Sequence, residues 1–361
     1  MKEFLVDGKE FLFLRKIVKS VDNRRILFYN IAKDFYKPKG KFKMYRIGVD
    51  LGGTNIAAGI VNAEGVILYR ASIPTGAHRP ADEIVADMAA LCHSLIKEAN
   101  ISIDEVEAVG IASPGVANHD TGVVEYANNL PFRNFPLAEK FKAGFPVPKV
   151  SIENDANAAA WGEAKVGAAK GSKKSIMITL GTGVGGGIVI DDRIYSGFNY
   201  AGAELGHIVI VCGGRQCSCG RKGCWEAYSS ATALVRMTEE KIAECEAAGR
   251  KTLMAEMVAE RGKISGRTSF DAMRAGDEAA KEVVDSYIKY LACGLINIIN
   301  IFQPEVLSIG GGISNEKDNL LAPLIPLVRA ETYGSGIVQD TEIRIATLGN
   351  DAGIIGAALL G

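Results

Sequence analysis

The chain has 361 residues, with 41 Lys and Arg against 42 Asp and Glu, a formal net charge of −1 and 48% hydrophobic residues. This hydrophobic fraction excludes a disordered chain, and the near-neutral charge argues against a protein built around nucleic acid. The length suggests about two domains. The longest apolar run, residues 291–302, is interrupted by Asn297 and Asn300 and is well short of the roughly 20 residues that cross a bilayer. We therefore expect no membrane association, and no export signal is recognisable.

The first 43 residues differ in composition from the rest of the chain. They hold 12 Lys and Arg against 5 Asp and Glu, a net charge of +7, whereas the remaining residues carry −8. They also contain 8 of the 26 aromatic residues but only two of the 41 glycines. We interpret residues 1–43 as an atypical basic extension or as upstream sequence translated from a misplaced start, and we favour the misplaced start. Abundant peptides from this segment in the native protein would contradict that interpretation.

From residue 44 onward the sequence predicts two similar glycine-interrupted hairpins. The first has strands at 45–51, 56–61 and 66–72, and the second, about 130 residues later, has strands at 175–180, 188–190 and 193–195 around glycines at 181–187. This repetition predicts two related halves. Helices are expected at 80–100, 154–167, 231–248 and 277–302, and short strands at 108–111, 149–152, 306–309 and 343–346. Alternating strands and helices indicate an α/β architecture.

The glycine turns of the two hairpins allow two interpretations. One such turn is equally compatible with a β-bulge and with a phosphate site. Two turns that face each other across a cleft could hold a nucleotide's phosphates from both sides, because no Cβ keeps phosphate oxygens from the backbone amides. Neither turn is a Walker loop or a dinucleotide-binding fingerprint, since no Gly-Lys-Ser/Thr follows and neither opens directly into a helix.

Three of the seven cysteines, Cys217, Cys219 and Cys224, fall within eight residues. This spacing favours a metal site in a reducing compartment over a disulfide framework, so we expect a cytoplasmic protein. His207 completes a Cys3His set, and four protein ligands would saturate a tetrahedral zinc ion and make it structural. Cys212 remains a competing ligand, and unligated buried cysteines are the plainer alternative.

Several motifs, taken together in order, resemble one protein family over residues 44–361. Residues 50–55 (Asp-Leu-Gly-Gly-Thr-Asn) and 180–187 resemble the two phosphate motifs of the actin-like, hexokinase-type ATPase fold. Residues 153–158, 204–207, 217–226 and 310–312 narrow the resemblance to the ROK family of sugar kinases and repressors. The resemblance implies a duplicated actin-like ATPase (ribonuclease H-like) fold with two domains around a nucleotide and sugar cleft. The small domain would comprise 44–155 and 348–361, and the large domain, with the zinc loop, 156–347.

The same resemblance assigns roles to individual residues. Asp155 is implied as the catalytic base, although an Asn-Asp pair before an alanine-rich helix is also an ordinary helix cap. The implied sugar-binding residues are Asn129, Asn154, Glu204, His207 and Glu226. The implied ATP-binding residues are Asp50, which would act through Mg2+, together with Gly52, Gly53, Thr54, Asn55, Gly181, Thr182, Gly183, Gly310, Gly311 and Gly312. The implied zinc ligands are His207, Cys217, Cys219 and Cys224.

The function implied is ATP-dependent phosphorylation of a hexose with Mg2+ and a structural zinc ion. Residues 128–132 and 226–228 favour a glucokinase-like member that converts glucose to glucose 6-phosphate. Kinases for N-acetylmannosamine, fructose or allose remain alternatives. So does a sugar-responsive ROK repressor, although 43 residues are few for a winged DNA-binding module and show no clear helix-turn-helix pattern. The expected partners are the sugar and ATP, with no nucleic acid, and a homodimer or homotetramer is expected.

Overall fold

A computed structural model describes residues 44–360. The chain divides into two units, Met1–Lys43 and Met44–Gly361; the first, with the expected basic extension, lies outside the described residues, as does Gly361. The strands of the second unit are β1 Tyr45–Leu51, β2 Asn55–Val61, β3 Ile67–Pro74, β4 Val106–Ser113, β5 Val116–Asn118, β6 Val123–Tyr126, β7 Arg133–Phe135, β8 Lys149–Asn154, β9 Lys174–Leu180, β10 Val184–Ile190, β11 Arg193–Ile194, β12 Val306–Gly310 and β13 Glu342–Ile345. The helices are α1 Ala81–Ala99, α2 Leu137–Gly144, α3 Asp155–Val166, α4 Glu226–Ser229, α5 Ala231–Ala247, α6 Leu253–Arg261, α7 Thr268–Arg274, α8 Glu278–Phe302, α9 Asp318–Glu331 and α10 Ala352–Ala358.

Two five-stranded sheets repeat the same topology. The first has the order β3-β2-β1-β4-β8 and the second β11-β10-β9-β12-β13. In each, the first three strands pair antiparallel and the last two continue the sheet in parallel. The predicted internal repeat is therefore confirmed, and the α/β prediction with it. A third sheet, β5-β6-β7, has no counterpart in the prediction, because its strands have only three or four residues.

The predicted long helices are confirmed within one or two residues at each end. The glycine run of the second hairpin is where the prediction was wrong, because Gly185, Gly186 and Gly187 lie inside β10 and not in a turn. Packing explains their presence there: a Cβ atom on Gly187 would stand 2.5 Å from the Cβ of Ala160 in α3. Gly187 thus lets helix α3 lie directly on the second sheet, whereas a Cβ atom on Gly186 would meet Leu205 at 2.7 Å.

Each sheet has its own hydrophobic core. The first core joins the strands of the first sheet to α1 and α2, around Met88 and Phe141. The second core joins the second sheet to the helices from α5 to α9, around Trp225 and Tyr287. None of the described helices is long and apolar enough to cross a membrane.

Small residues form the contact between α3 and α10. Ala158 in α3 and Ala357 in α10 are fully buried and pack with Ala112 of β4. A Cβ atom on Gly356 would lie 1.7 Å from the carbonyl oxygen of Ala158, so only glycine fits this close approach. We call this contact the Ala/Gly seam. It joins a helix that lies on the second sheet to a helix that lies on the first.

Candidate active site

An open cleft with a volume of about 870 Å³ is lined by residues from both halves of the repeat. Its walls include the ends of β1 and β9, the start of α3 and the segments that follow β10 and β12. Parallel β9 and β12 are neighbours, with Gly310 opposite Thr179, so the segments after them meet at one edge of the second sheet. Ligands of α/β sheets bind at such carboxyl-terminal edges.

Asn154 and Asp155 stand where β8 gives way to α3. The Asn154 side chain accepts hydrogen bonds from the Ala156 and Asn157 amides at 2.9 and 3.2 Å, and its own amide donates to the Gly115 carbonyl at 3.1 Å. The helix-cap interpretation is thus confirmed for Asn154. The Asp155 carboxylate reaches the solvent of the cleft. Desolvation by the surrounding walls nevertheless raises the pKa of Asp155, against the lowering effect of the Ala156 amide.

Asp50, near the end of β1, lies across the cleft from the second half. Burial raises the pKa of its carboxyl group to about 6, and the negative charge of Asp155 adds to that effect. A Cβ atom on Gly353 would lie 2.5 Å from an Asp50 carboxylate oxygen. The side chain is therefore closely packed against the first turn of α10. A partly desolvated carboxylate beside a second carboxylate is a place where a cation stabilises the charged form.

Two further carboxylates, Glu204 and Glu226, line the cleft together with His207. Burial raises the pKa of Glu204, and the charges of Asp155 and Glu226 raise it further, whereas His207 lowers it. Glu226 accepts hydrogen bonds from the Val184 amide at 3.0 Å and the Ser218 hydroxyl at 3.2 Å. Glu226 thus connects the start of β10 to the cysteine loop.

The cysteine loop brings four metal-binding side chains together. The donor atoms of His207, Cys217, Cys219 and Cys224 all lie within 4.8 Å of one another. The Cys219 and Cys224 sulfurs are 3.7 Å apart, close to the separation of about 3.8 Å that tetrahedral zinc with 2.3 Å bonds to sulfur requires. His207 contributes Nδ1, which is 3.7 Å from the Cys217 sulfur. Cys212 is exposed and lies outside this group. The donor set and spacing fit zinc.

Two of the three predicted glycine segments line the cleft, and the segment after β1 does not. Residues 181–183 and 310–312 line the cleft, and the amides of Thr182 and Gly183 have no hydrogen-bond acceptor within residues 44–360. Gly52, Gly53, Thr54, Asn55 and Asn129 lie outside the lining. Thr75 holds the first turn by donating from its hydroxyl to the Gly52 carbonyl at 2.6 Å. The Asn129 amide nitrogen would be 2.7 Å from a Cβ on Gly53, so these two residues are adjacent.

Comparison with known proteins supplies the family. The model of the ROK family matches residues 46–361. This chain belongs to the ROK family. It is 37% identical to a glucokinase of Halalkalibacterium halodurans over 87% of this chain and 94% of the relative. It also resembles the structure of a ROK family glucokinase from Streptomyces griseus in complex with glucose and AMPPNP, with 35% identity, a TM-score of 0.73 and coverage of 88% and 99%.

Repressors also belong among the relatives of this ROK chain. A xylose repressor of Bacillus subtilis is 29% identical over 86% of this chain and 75% of the repressor. The predicted family and the actin-like ATPase fold are confirmed by these matches and by the duplicated sheets.

Sequence reasoning missed several polar residues of this ROK cleft. The lining also includes Thr179, Ser314, Asn315, Lys317, Thr347 and Asn350. Ser314 and Asn315 come two and three residues after the glycine triplet, so continuing that motif by a few residues would have found them. Outside the lining, His119 lies 3.1 Å from the buried Glu153 carboxylate, and Tyr200 donates to Asp120 at 2.5 Å. The two residues of each pair are distant in sequence, so no local sequence pattern predicts either contact.

Proposed function

We propose that this ROK protein is an ATP-dependent hexose kinase that phosphorylates the 6-hydroxyl group of glucose. The glucokinase relatives support this function through high coverage of both chains. The observation that carries the proposal is the cleft, in which Asp155 lies on the same cavity as the glycine segments 181–183 and 310–312. A proton acceptor beside two amide-rich turns is what transfer of a phosphoryl group to a hydroxyl requires.

Asp155 acts as the general base in this proposal. It accepts the proton of the sugar hydroxyl while that oxygen attacks the terminal phosphorus of ATP, and the bond to ADP breaks on the opposite side. A raised pKa makes the Asp155 carboxylate a stronger base at neutral pH than an ordinary aspartate. Asn154, fixed by its contacts with α3 and Gly115, is oriented next to the base and is assigned to the sugar.

The sugar is held by Asn129, Asn154, Glu204, His207 and Glu226. Carboxylates accept hydrogen bonds from sugar hydroxyl groups strongly. The cysteine loop fixes two of these side chains, since His207 belongs to the metal-binding group and Glu226 follows Cys224 by two residues. His207, Cys217, Cys219 and Cys224 would hold a zinc ion, and since four protein ligands saturate tetrahedral zinc, the ion would stabilise this loop and would not activate water.

Both halves of the molecule bind ATP, the second half in the open cleft and the first half only after the cleft closes. Gly181, Thr182, Gly183, Gly310, Gly311 and Gly312 face the open cleft, and the first turn, Gly52, Gly53, Thr54 and Asn55, joins them when the cleft closes. Closure also excludes water, which would otherwise accept the phosphoryl group. Asp50 would help to hold a Mg2+ ion, which would neutralise charge on the phosphates.

The remaining assignments belong to the same proposal. The small domain comprises 44–155 and 348–361, and the large domain 156–347, with α3 and α10 at their junction. The protein works in the cytoplasm, where thiols stay reduced and can bind zinc, and assembles as a homodimer or homotetramer.

A coupled assay of ADP release over a panel of sugars tests the function. Glucose should give the highest kcat/KM among glucose, fructose, allose and N-acetylmannosamine, with glucose 6-phosphate as the product. A higher kcat/KM for one of the other sugars would replace glucose in the proposal. The xylose repressor relative motivates a parallel measurement of DNA binding. Specific DNA binding at physiological salt, without phosphorylation of any sugar, would replace the kinase with a repressor.

A further inference from the structure

The cleft wall that begins at Gly310 contains a lysine with no role in the function proposed above. Lys317 lines the cleft, and within residues 44–360 it is the only Lys or Arg that does so. Four carboxylates line the same space. We propose that the Lys317 ammonium group binds the phosphate chain of the nucleotide. This inference rests on the proposed function, because it takes the cleft to be the ATP site.

The position of the segment brings Lys317 toward the phosphate turn. A Cβ atom on Gly311 would lie within 2.6 Å of the backbone of Leu180, the residue before Gly181. The start of the segment that leads to Lys317 is therefore packed against the end of β9, directly before the turn whose Thr182 and Gly183 amides are unpaired. Lys317 and this turn line the same cleft.

Neighbouring contacts fix the segment but leave the lysine free. The Glu316 carboxylate is buried and forms an ion pair with Arg274. Ser314 donates to the Gly311 carbonyl at 2.7 Å, and Asn315 donates to the Gly312 carbonyl at 3.0 Å. Lys317 itself is exposed, and the part of the chain that the structure describes gives it no ion-pair partner.

The backbone of Lys317 is strained. Its φ angle is +49° and its ψ angle −115°, a conformation that favours glycine over residues with a side chain. The Lys317 amide donates to Ser314 at 3.1 Å, and its carbonyl accepts from Leu320 at 3.0 Å, so the surrounding turn imposes this geometry. Strained residues of this kind are concentrated at functional sites. Together with its place on the cleft wall, this strain supports a functional use of the Lys317 side chain.

The chemistry of the cleft requires such a charge. Bringing a polyanionic triphosphate next to Asp50, Asp155, Glu204 and Glu226 is repulsive, and the ion supported by Asp50 offsets only part of that repulsion. A lysine ammonium group is a compact charge with three donors on a flexible stem, which suits phosphate oxygens of changing position. Its interaction grows with the number of phosphates and is absent for a nucleoside.

Calorimetric titration of Lys317→Met with ADP, AMP and adenosine in the presence of Mg2+ tests the proposal. ADP should bind about 10- to 100-fold more weakly, the effect of losing one charged hydrogen-bond partner, whereas adenosine should change by less than about threefold. The KM for ATP should rise in parallel while the KM for glucose stays unchanged. Lys263→Met, which removes an exposed lysine outside the cleft, is the matched control and should bind ADP as the wild type does.

Two more variants separate charge from backbone strain. Lys317→Arg should keep most of the ADP affinity. Lys317→Gly relieves the positive φ angle, so it should melt at a higher temperature and yet bind ADP as weakly as Lys317→Met. Normal ADP affinity in Lys317→Met or in Lys317→Gly, or an equal loss for adenosine, would overturn the proposal. If the wild-type protein phosphorylates no sugar, the proposed function is wrong. The ADP titrations measure nucleotide binding and not turnover, so they decide the role of Lys317 in either case.

Discussion

At the scale of single residues, Asp155 combines two environments. Its backbone begins α3, and its carboxylate accepts a hydrogen bond from the Ala156 amide at 2.8 Å, whereas the same carboxylate faces the cleft. Local sequence alone predicts a helix-capping group as readily as a base. The structure gives the cap to Asn154, which leaves the Asp155 carboxylate oriented toward the ligand space.

Asp155→Asn should lower kcat by about 10²- to 10⁴-fold, the contribution that a positioned general base makes. The asparagine side chain has nearly the same shape but does not accept the proton. Melting temperature and ADP affinity should stay close to those of the wild type, because the Asn154 cap and the glycine segments are unchanged. Turnover within a few-fold of wild type would remove Asp155 from its assigned role.

Asp50→Asn should abolish sugar phosphorylation and raise the free energy of unfolding of the protein. The pKa of Asp50 is raised from 3.8 to about 6 in the folded protein, so the folded state holds this proton more tightly than the unfolded state does. The free energy of unfolding therefore falls as pH rises from about 4 to about 6 and stays lower above that range. An uncharged asparagine avoids this loss, and the free energy of unfolding at pH 8 should rise by up to about 3 kcal/mol.

Denaturant unfolding of the ligand-free protein at pH 8 and at pH 4 measures this effect. The gain from Asp50→Asn should be present at pH 8 and nearly absent at pH 4, whereas sugar phosphorylation should be lost at pH 8. A variant that is less stable than the wild type at pH 8 would show that the Asp50 charge is stabilised in the fold.

At the scale of elements, the cysteine loop positions His207 and Glu226, which we assign to the sugar, and a variant that lacks one proposed zinc ligand tests that dependence. The wild type should hold about one zinc ion per chain and Cys219→Ser should lose it, and the KM for glucose should rise at least tenfold, since metal-site ligands and their supports typically matter by 10- to 100-fold. Elemental analysis and steady-state kinetics measure both effects.

Cys212→Ser provides the matched control for the cysteine loop. Cys212 is exposed and outside the metal-binding group, so this variant should retain zinc and the wild-type KM. Loss of zinc from Cys212→Ser together with its retention in Cys219→Ser would exchange the two residues in the ligand set. Full zinc content in both variants would contradict the Cys3His assignment.

How much of the elements could be predicted depended on whether their signals are local. The spacing of Cys217, Cys219 and Cys224 is local, and the structure does bring these residues together with His207. The glycines of β10 misled the prediction because the side chains that approach them most closely, such as Ala160 at Gly187 and Leu205 at Gly186, lie in other segments. His119 gave no sign of its contact with Glu153 for the same reason. Pairings set by tertiary packing are not encoded in neighbouring residues.

At the scale of the whole molecule, the two halves must move for the proposed reaction. The first glycine turn and Asn129 lie outside the open cleft, while the second turn lines it. Small-angle scattering should therefore show a smaller radius of gyration when glucose and a non-hydrolysable ATP analogue are both bound. Asp155→Asn should contract in the same way, because it keeps the groups that bind the ligands. An unchanged radius at saturating ligand would mean that the first turn acts elsewhere.

The Ala/Gly seam has a consequence for the rate of this motion. Large side chains that interlock across a helix pair must leave one groove and enter another before the helices can turn. Ala112, Ala158, Gly356 and Ala357 present no such projections, so within the seam the two helices can turn without side chains crossing a steric barrier. The rate of opening and closing should then depend on contacts outside the seam, such as the hydrogen bonds of Trp161 to the Leu359 carbonyl and of Tyr200 to Asp120.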